Sequence, residues 1–453
     1  MSALVARTTK QDKVRELQRT LYRAAKADPT RRFHALHDKV HRRDVLERAW
    51  ELVRANHGAA GIDRQTIADV EQYGVSRLLD ELAADLKDGR WRPLPARRVF
   101  IPKPGREELR PLSIPAIRDR VVQAATKIVI EPIFEADMLE CSFGFRPKRS
   151  AHDALQVLLD ESWRGARWVA ESDISNCFEA IPHSGLMAAI EERISDRHVL
   201  KLLRAMLRAG VMEDGALRRS TAGTPQGGVI SPCLCNVYLN RLDRQWQTRG
   251  HGVLVRYADD LLAVCKTKQD AEGAIEALTA ILAELGLELK PAKTRIVHLR
   301  EGGKGLDFLG FHHRYVRGNT PRSKHLAFLV RWPSRQAMGH ARQRIREITD
   351  RSRLKVPLEV IVQDLNRFLR GWAGYFRYGN SARFFTKIML HAYRHLAGFI
   401  AKRHKQRKRY GYWVLAHTPD RFGLITLNGT IIAPRPNRPW RQGKLNAGGE
   451  ERR

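Results

Sequence analysis

Cysteine is scarce in this chain of 453 residues. There are five, at Cys141, Cys177, Cys233, Cys235 and Cys265, and none follows residue 265. None has the paired spacing of a zinc site, which excludes a disulfide scaffold and a zinc ribbon; reduced thiols are expected. Cys233-Leu234-Cys235 lies in an apolar stretch and reads as packing rather than ligation. No apolar run is long enough to span a bilayer, and the amino-terminal MSALVARTTKQDK lacks the apolar core of a secretion signal. The expectation is a cytoplasmic protein without membrane contact. Negative charge is also in short supply, with 49 acidic against 81 basic residues and a net charge of +32. Self-repulsion on that scale points to a polyanionic partner, and nucleic acid is the obvious one. Charge alone does not separate RNA from DNA.

Hydrophobic residues at 43% and charged residues at 29% describe a globular protein with enough core for two or three domains. One stretch organises the rest. VLVRYADDLLAV, from Val253 to Val264, sets Asp259 and Asp260 between two apolar, strand-like runs, where a β-hairpin would carry them at its tip. Adjacent carboxylates repel each other and are costly to bury, so a site that holds them close pairs them with cations. Oxygen ligands suit Mg²⁺, whose octahedral shell is commonly completed by substrate phosphates and water. The best third ligand is Asp173 in RWVAESDISNCFEAIP, where another apolar run ends on an acid. Taken alone, an Asp pair is more often a solvated turn.

Three strings change that balance: SDISNCF (Ser172 to Phe178), GTPQGGVISPCLCNVYLN (Gly223 to Asn240) and Tyr257-Ala258-Asp259-Asp260. In that order and at those separations they resemble the palm motifs of reverse transcriptases, in the form found in group II intron-encoded proteins. The resemblance covers about residues 45 to 400. It implies an α+β fold, a right-hand polymerase whose fingers and palm contain antiparallel sheet, followed by an α-helical thumb or X domain. The expected division is a basic helical extension over 1–56, fingers and palm over 57–313, thumb and maturase X domain over 314–410, and a basic, candidate DNA-binding tail over 411–453. Asp173, Asp259 and Asp260, with the carbonyl of Ile174, would hold two Mg²⁺ ions, for which Mn²⁺ can substitute. Lys293 in LKPAKTRIV occupies the position of the lysine that approaches the pyrophosphate leaving group.

The fingers string RRVFIPKPGREELRPLSIP carries Lys103 and Arg110 on two strands that bring both cations to one side, suited to triphosphate oxygens. Ile117 to Phe134 reads as a helix with Arg118, Arg120 and Gln123 on its polar side. Phe178 stands where this class places a flat ring under the sugar, a core phenylalanine being the alternative. Gln226, in the glycine loop, is placed to hydrogen-bond the nucleotide or template base pair. Arg146, Lys148 and Arg149 of SFGFRPKRSAHDAL are expected on template phosphates. NHGAAGIDRQT (Asn56 to Thr66) lies over template and primer in the family, or is an ordinary connector. Gly310, in FLGF, belongs to a strand pair similar to the one that grips the primer end. In QDLNRFLRGWAGYFRYGN aromatics interleave with arginines. Arg370, Trp372, Tyr375 and Arg377 are expected on a face that stacks unpaired bases, about half of the aromatics turning to a helical core instead.

The partners implied are group II intron RNA, a DNA target and primer, and dNTPs, and the activity is RNA-directed DNA synthesis serving intron splicing and target-primed mobility. After His404 the only histidine is His417, so an HNH nuclease site in the tail is not expected, and the primer must come from another source, such as a nascent strand. Two rivals stand beside this reading. A splicing-only maturase need not keep three metal carboxylates, and a domesticated enzyme of defence or CRISPR adaptation would be separated by its genomic neighbourhood.

Overall fold

Where apolar side chains recur at helical spacing the chain coils, and the buried stripe decides what each helix meets. In the computed structural model, which describes residues 10–102, 109–213, 216–218, 222–223, 227–318, 321 and 324–432, the helices Lys10–Ala27 and Arg43–Ala55 bury Val14, Leu21, Leu46 and Trp50. Both pack on the helix Ile117–Glu135, which is apolar nearly all round and lies inside the molecule. Its expected polar side is only partly polar in fact. Arg118 reaches Asp85 near the surface, but Arg120 and Gln123 are buried. The Arg120 guanidinium donates to the carbonyl oxygens of Pro115 and Ala59, and the Gln123 side-chain oxygen accepts from the Val229 amide.

Eleven strands follow along the described residues: β1 (Ala96–Pro102), β2 (Leu109–Ile114), β3 (Trp168–Asp173), β4 (Val211–Glu213), β5 (Ala216–Arg218), β6 (Val253–Tyr257), β7 (Asp260–Cys265), β8 (Arg295–His298), β9 (Leu306–Phe308), β10 (Phe311–Arg317) and β11 (Ala327–Pro333). They form three sheets. The fingers sheet has the order β2-β1-β4-β5, the palm sheet β6-β7-β3-β8, and a third sheet β11-β10-β9. Pairing is antiparallel except between β1 and β4, which run parallel.

The palm sheet divides the core in two. Ala170, Leu254, Leu261 and Ala263 face a core shared with the fingers and amino-terminal helices, while Val169, Val255, Leu262 and Val264 face one shared with the third sheet and the carboxyl-terminal helices. This is the period-2 alternation of a strand covered on both sides. The second core is closed by the helices Arg335–Ile348, Leu358–Phe376, Ala382–Arg403 and Lys408–His417. No helix among the described residues is long and apolar enough to cross a membrane.

Candidate active site

Asp259 and Asp260 arrive at the end of the palm sheet through a two-residue hairpin turn, Ala258-Asp259, closed by the pair Tyr257 and Asp260. Ala258 has φ +58°, the left-handed conformation that tight hairpins demand at the first loop position. Across the sheet Asp173, the last residue of β3, lies directly opposite Asp260. The Ile174 amide donates to the Asp259 carbonyl at 3.2 Å, and the Lys290 amide to the Asp173 carbonyl at 2.7 Å. Residues far apart in the chain are thereby fixed at one point by backbone bonds. Lys293, on the turn Pro291–Lys293, donates to Asp173 Oδ2, and its Nζ lies 3.9 Å from Asp260 Oδ1.

The electrostatics are those of a cation site. Burial raises the pKa of Asp259, and the charge of Asp173 raises it further, while Lys293 and Arg110 pull it down. Burial, then the charges of Asp259 and Asp173, push Asp260 up to about 7. Burial by itself would lower Lys293; its bond to Asp173 and the three carboxylates outweigh that and raise it. Asp173 Oδ1 is buried without a partner. An all-oxygen donor set with uncompensated negative charge fits a hard divalent ion. Among the described residues no three such side chains already stand at mutual ligand spacing. The Lys293 ammonium lies across Asp173 and Asp260, in the place a cation would take, and would have to release Asp173 to admit one.

The turn is held from behind by groups that carry no signal in the motifs. Arg256 is wholly buried and forks onto Asp243, Nε to Oδ1 at 2.7 Å, with neither side chain exposed. Its Nη1 donates to Asn236 Oδ1 at 2.9 Å and to the Ala258 carbonyl at 3.2 Å. Asn236 in turn donates to the Gly144 carbonyl. A Cβ on Gly144 would stand 2.5 Å from the Ala258 nitrogen, so the SFGF loop is pressed directly on the Ala258-Asp259 turn. One clue was available: an arginine inside the apolar run VLVRYA must find an internal anion if that strand is central.

The other expected residues divide. Arg110 is exposed on β2 and close enough to act on Asp259. Lys103 and Gln226 lie outside the described residues. Phe178 is 9% exposed and belongs to the first core. Lys148 is exposed. Arg146 corrects its expectation: it is buried, paired with Glu135 at 2.7 Å and bonded to the carbonyls of Leu139 and Ser142, so its donors are spent inside the loop. Arg149 is half-buried, paired with the exposed Glu140 at the surface and lying over the Phe143 ring. Gly310, with φ +78°, forms with Leu309 the tight turn between β9 and β10. Trp372 is another correction, being 8% exposed in the second core. Tyr375 packs against Phe376 and donates its hydroxyl to the Leu309 carbonyl at 2.8 Å, so it buttresses the β9–β10 turn instead of offering a free ring. Arg370 is exposed and Arg377 half-buried. The Asn56 to Thr66 loop is clamped onto the fingers, its Ala60 carbonyl accepting from Arg97 and its Ala59 carbonyl from Arg120.

A cleft of about 970 Å³ opens between the third sheet and the carboxyl-terminal helices, lined by Arg295, Lys304, Arg314, Arg342 and Lys387 with the rings of Trp332 and Phe384. Acidic residues converging at the end of an antiparallel palm, followed by a basic cleft and helical thumb, define a template-directed polymerase of the reverse-transcriptase class. Residues 101–313 match the family Reverse transcriptase (RNA-dependent DNA polymerase), and residues 338–417 match the Group II intron, maturase-specific domain. Protein YkfC of Escherichia coli (strain K12) is 35% identical over 344 residues, 67% of this chain and 88% of that protein. Group II intron-encoded protein LtrA of Lactococcus lactis subsp. cremoris is 36% identical over 214 residues, which is 47% of this chain and 35% of LtrA. A solved telomerase from Candida albicans, in complex with a fragment of telomeric RNA, has a TM-score of 0.39 at 14% identity, over 72% of this chain and 62% of that one, too loose a likeness to add to the assignment. The chain belongs to the group II intron-encoded reverse transcriptases that carry a maturase domain, and its activity is that of an RNA-directed DNA polymerase.

Proposed function

We propose that Asp173, Asp259 and Asp260, with the Ile174 carbonyl, hold two Mg²⁺ ions against the triphosphate and the primer terminus. The observation that carries this reading is the register that sets Asp173 opposite Asp260 beneath the Asp259 turn. When bound, such ions activate the primer 3′-hydroxyl and stabilise charge on the transferring phosphorus. Lys293 then leaves Asp173 and turns its ammonium to the departing pyrophosphate, where it offsets charge or gives up a proton. Arg110 and Lys103 orient the phosphates, Gln226 meets the nascent base pair, and Phe178 presents its edge below the sugar, against a 2′-hydroxyl. The β9–β10 turn at Gly310 sets the primer end, and the basic cleft beside it takes the duplex backbone.

The maturase domain engages group II intron RNA, so the same chain serves splicing and target-primed DNA synthesis on a DNA target. Lys148, Arg370 and Arg377 remain contacts for RNA phosphates. The two activities are separable. Asp259→Asn is expected to abolish cDNA synthesis while intron RNA affinity and splicing stay within about twofold of wild type, since RNA affinity comes from cations on phosphates and a carboxylate supplies none of it. Loss of RNA binding together with synthesis would contradict the division of labour.

A further inference from the structure

With Trp372 in the core, the unpaired-base surface expected on the Leu358–Phe376 helix is not there. An exposed aromatic face lies on the helix Lys408–His417 instead. Gly411 sets its orientation: a Cβ at that position would collide with the backbone of Ala397, so the two helices touch main chain to main chain, and Gly411, Val414 and Leu415 turn inward. Trp413 and His417, four residues apart, share the outward side, and Tyr410, one turn earlier, is half-buried against the second core. Trp413 is 55% exposed. Its ring lies nearly parallel to His417, centroids 4.6 Å apart at 27°, and to Tyr410, 6.1 Å apart at 24°. A hydrogen bond of 2.8 Å from His417 Nδ1 to the Trp413 carbonyl holds the imidazole in that position.

A run of cations precedes this row in the chain. Lys405, Arg407, Lys408 and Arg409 are all exposed, and among the described residues none forms an ion pair with a carboxylate. The first turn of the helix holds no acid to offset them. By contrast Arg403, in the same run, is tied to the carbonyls of Leu354 and Val356. An indole 55% exposed, following a run of exposed positive charge, matches the two parts of a nucleotide in a single strand, its base and its phosphate. A duplex hides its base faces and would leave the rings unused. The chain's own segment 433–453 is no better occupant, having six Lys or Arg against two Glu.

We propose that the outer face of the Lys408–His417 helix binds a single-stranded segment of RNA, one unpaired base stacking on Trp413 and its flanking phosphates meeting the Lys405 to Arg409 run. This rests on the reading that the maturase domain engages intron RNA, and adds which element does so and which form of RNA it takes. The test uses the full chain with its polymerase cleft pre-occupied by an unlabelled RNA–DNA hybrid, and measures binding of labelled oligo(U), oligo(dT) and duplex RNA by anisotropy. Trp413→Ala is expected to weaken oligo(U) by about tenfold, the order that stacking one base is worth, with Trp413→Phe recovering most of it. Binding of duplex RNA and primer extension should stay within about twofold. Oligo(U) binding unchanged in Trp413→Ala overturns the proposal, and a loss confined to oligo(dT) overturns its assignment to RNA. Failure of the broader maturase reading would look different: wild-type protein would not retain intron RNA at all.

Discussion

Each carboxylate at the palm's end is useful only because it is uncomfortable. Folded Asp260 sits at about 7, against about 3.9 in an unfolded chain. The folded state therefore holds the proton more tightly, and its contribution to stability is full below the unfolded value and lost as pH rises through about 7. Buried Asp119 is raised to about 7 with the same sign, so the difference between wild type and Asp260→Asn isolates the site. The metal-free wild type should lose more Tm than the variant between about pH 5 and about pH 8, and a divalent cation should restore the difference. An identical pH profile for both proteins would mean that Asp260 feels no such field. Lys293→Ala should lower kcat by about 10²-fold or more with little change in RNA affinity, read by single-nucleotide incorporation. Residues of this kind were legible in the sequence because their chemistry needs acids at strand ends. Arg146 and Trp372 were misread for a physical reason: a guanidinium or an indole looks the same in a sequence whether its partner is a phosphate, a base, Glu135 or a core.

At the scale of elements, the apolar runs on either side of Asp259 and Asp260 predicted the hairpin, and helical spacing over the Leu358–Phe376 helix allowed for inward-facing aromatics. The cross-chain clamp was not legible, since Arg256, Asp243, Asn236 and Gly144 meet only when the SFGF loop, the Ser231–Arg249 helix and β6 come together. That clamp makes a sharp prediction. Asp243→Asn leaves a buried guanidinium without its anion and should cost about 3–5 kcal/mol of stability, measured by denaturant unfolding. Gly144→Ala adds a methyl 2.5 Å from the Ala258 nitrogen. It should displace the Asp259 turn and cut primer extension by about tenfold or more, a small misplacement being enough, while intron RNA binding persists. Wild-type extension in Gly144→Ala would show that the loop does not press on the turn.

For the whole molecule, the charge of +32 and the basic cleft predict an RNA affinity that falls by about 10³-fold or more between about 50 and 200 mM salt, as neutralising six to ten phosphates requires. A weak salt dependence would place the binding energy elsewhere. The carboxyl-terminal helices share one second core with the palm sheet. The account nevertheless turns on one small volume, where Asp173 from the end of β3 meets Asp259 and Asp260 at the β6–β7 turn and the three are proposed to share a cation. Purified protein extending a primer on an RNA template, with Mg²⁺ withheld and then restored, tests that volume most directly when run beside Asp173→Asn, Asp259→Asn and Asp260→Asn. Synthesis should require the ion and disappear in each of the three variants; a full-rate product from any one of them, or from wild type without a divalent cation, would contradict the shared site.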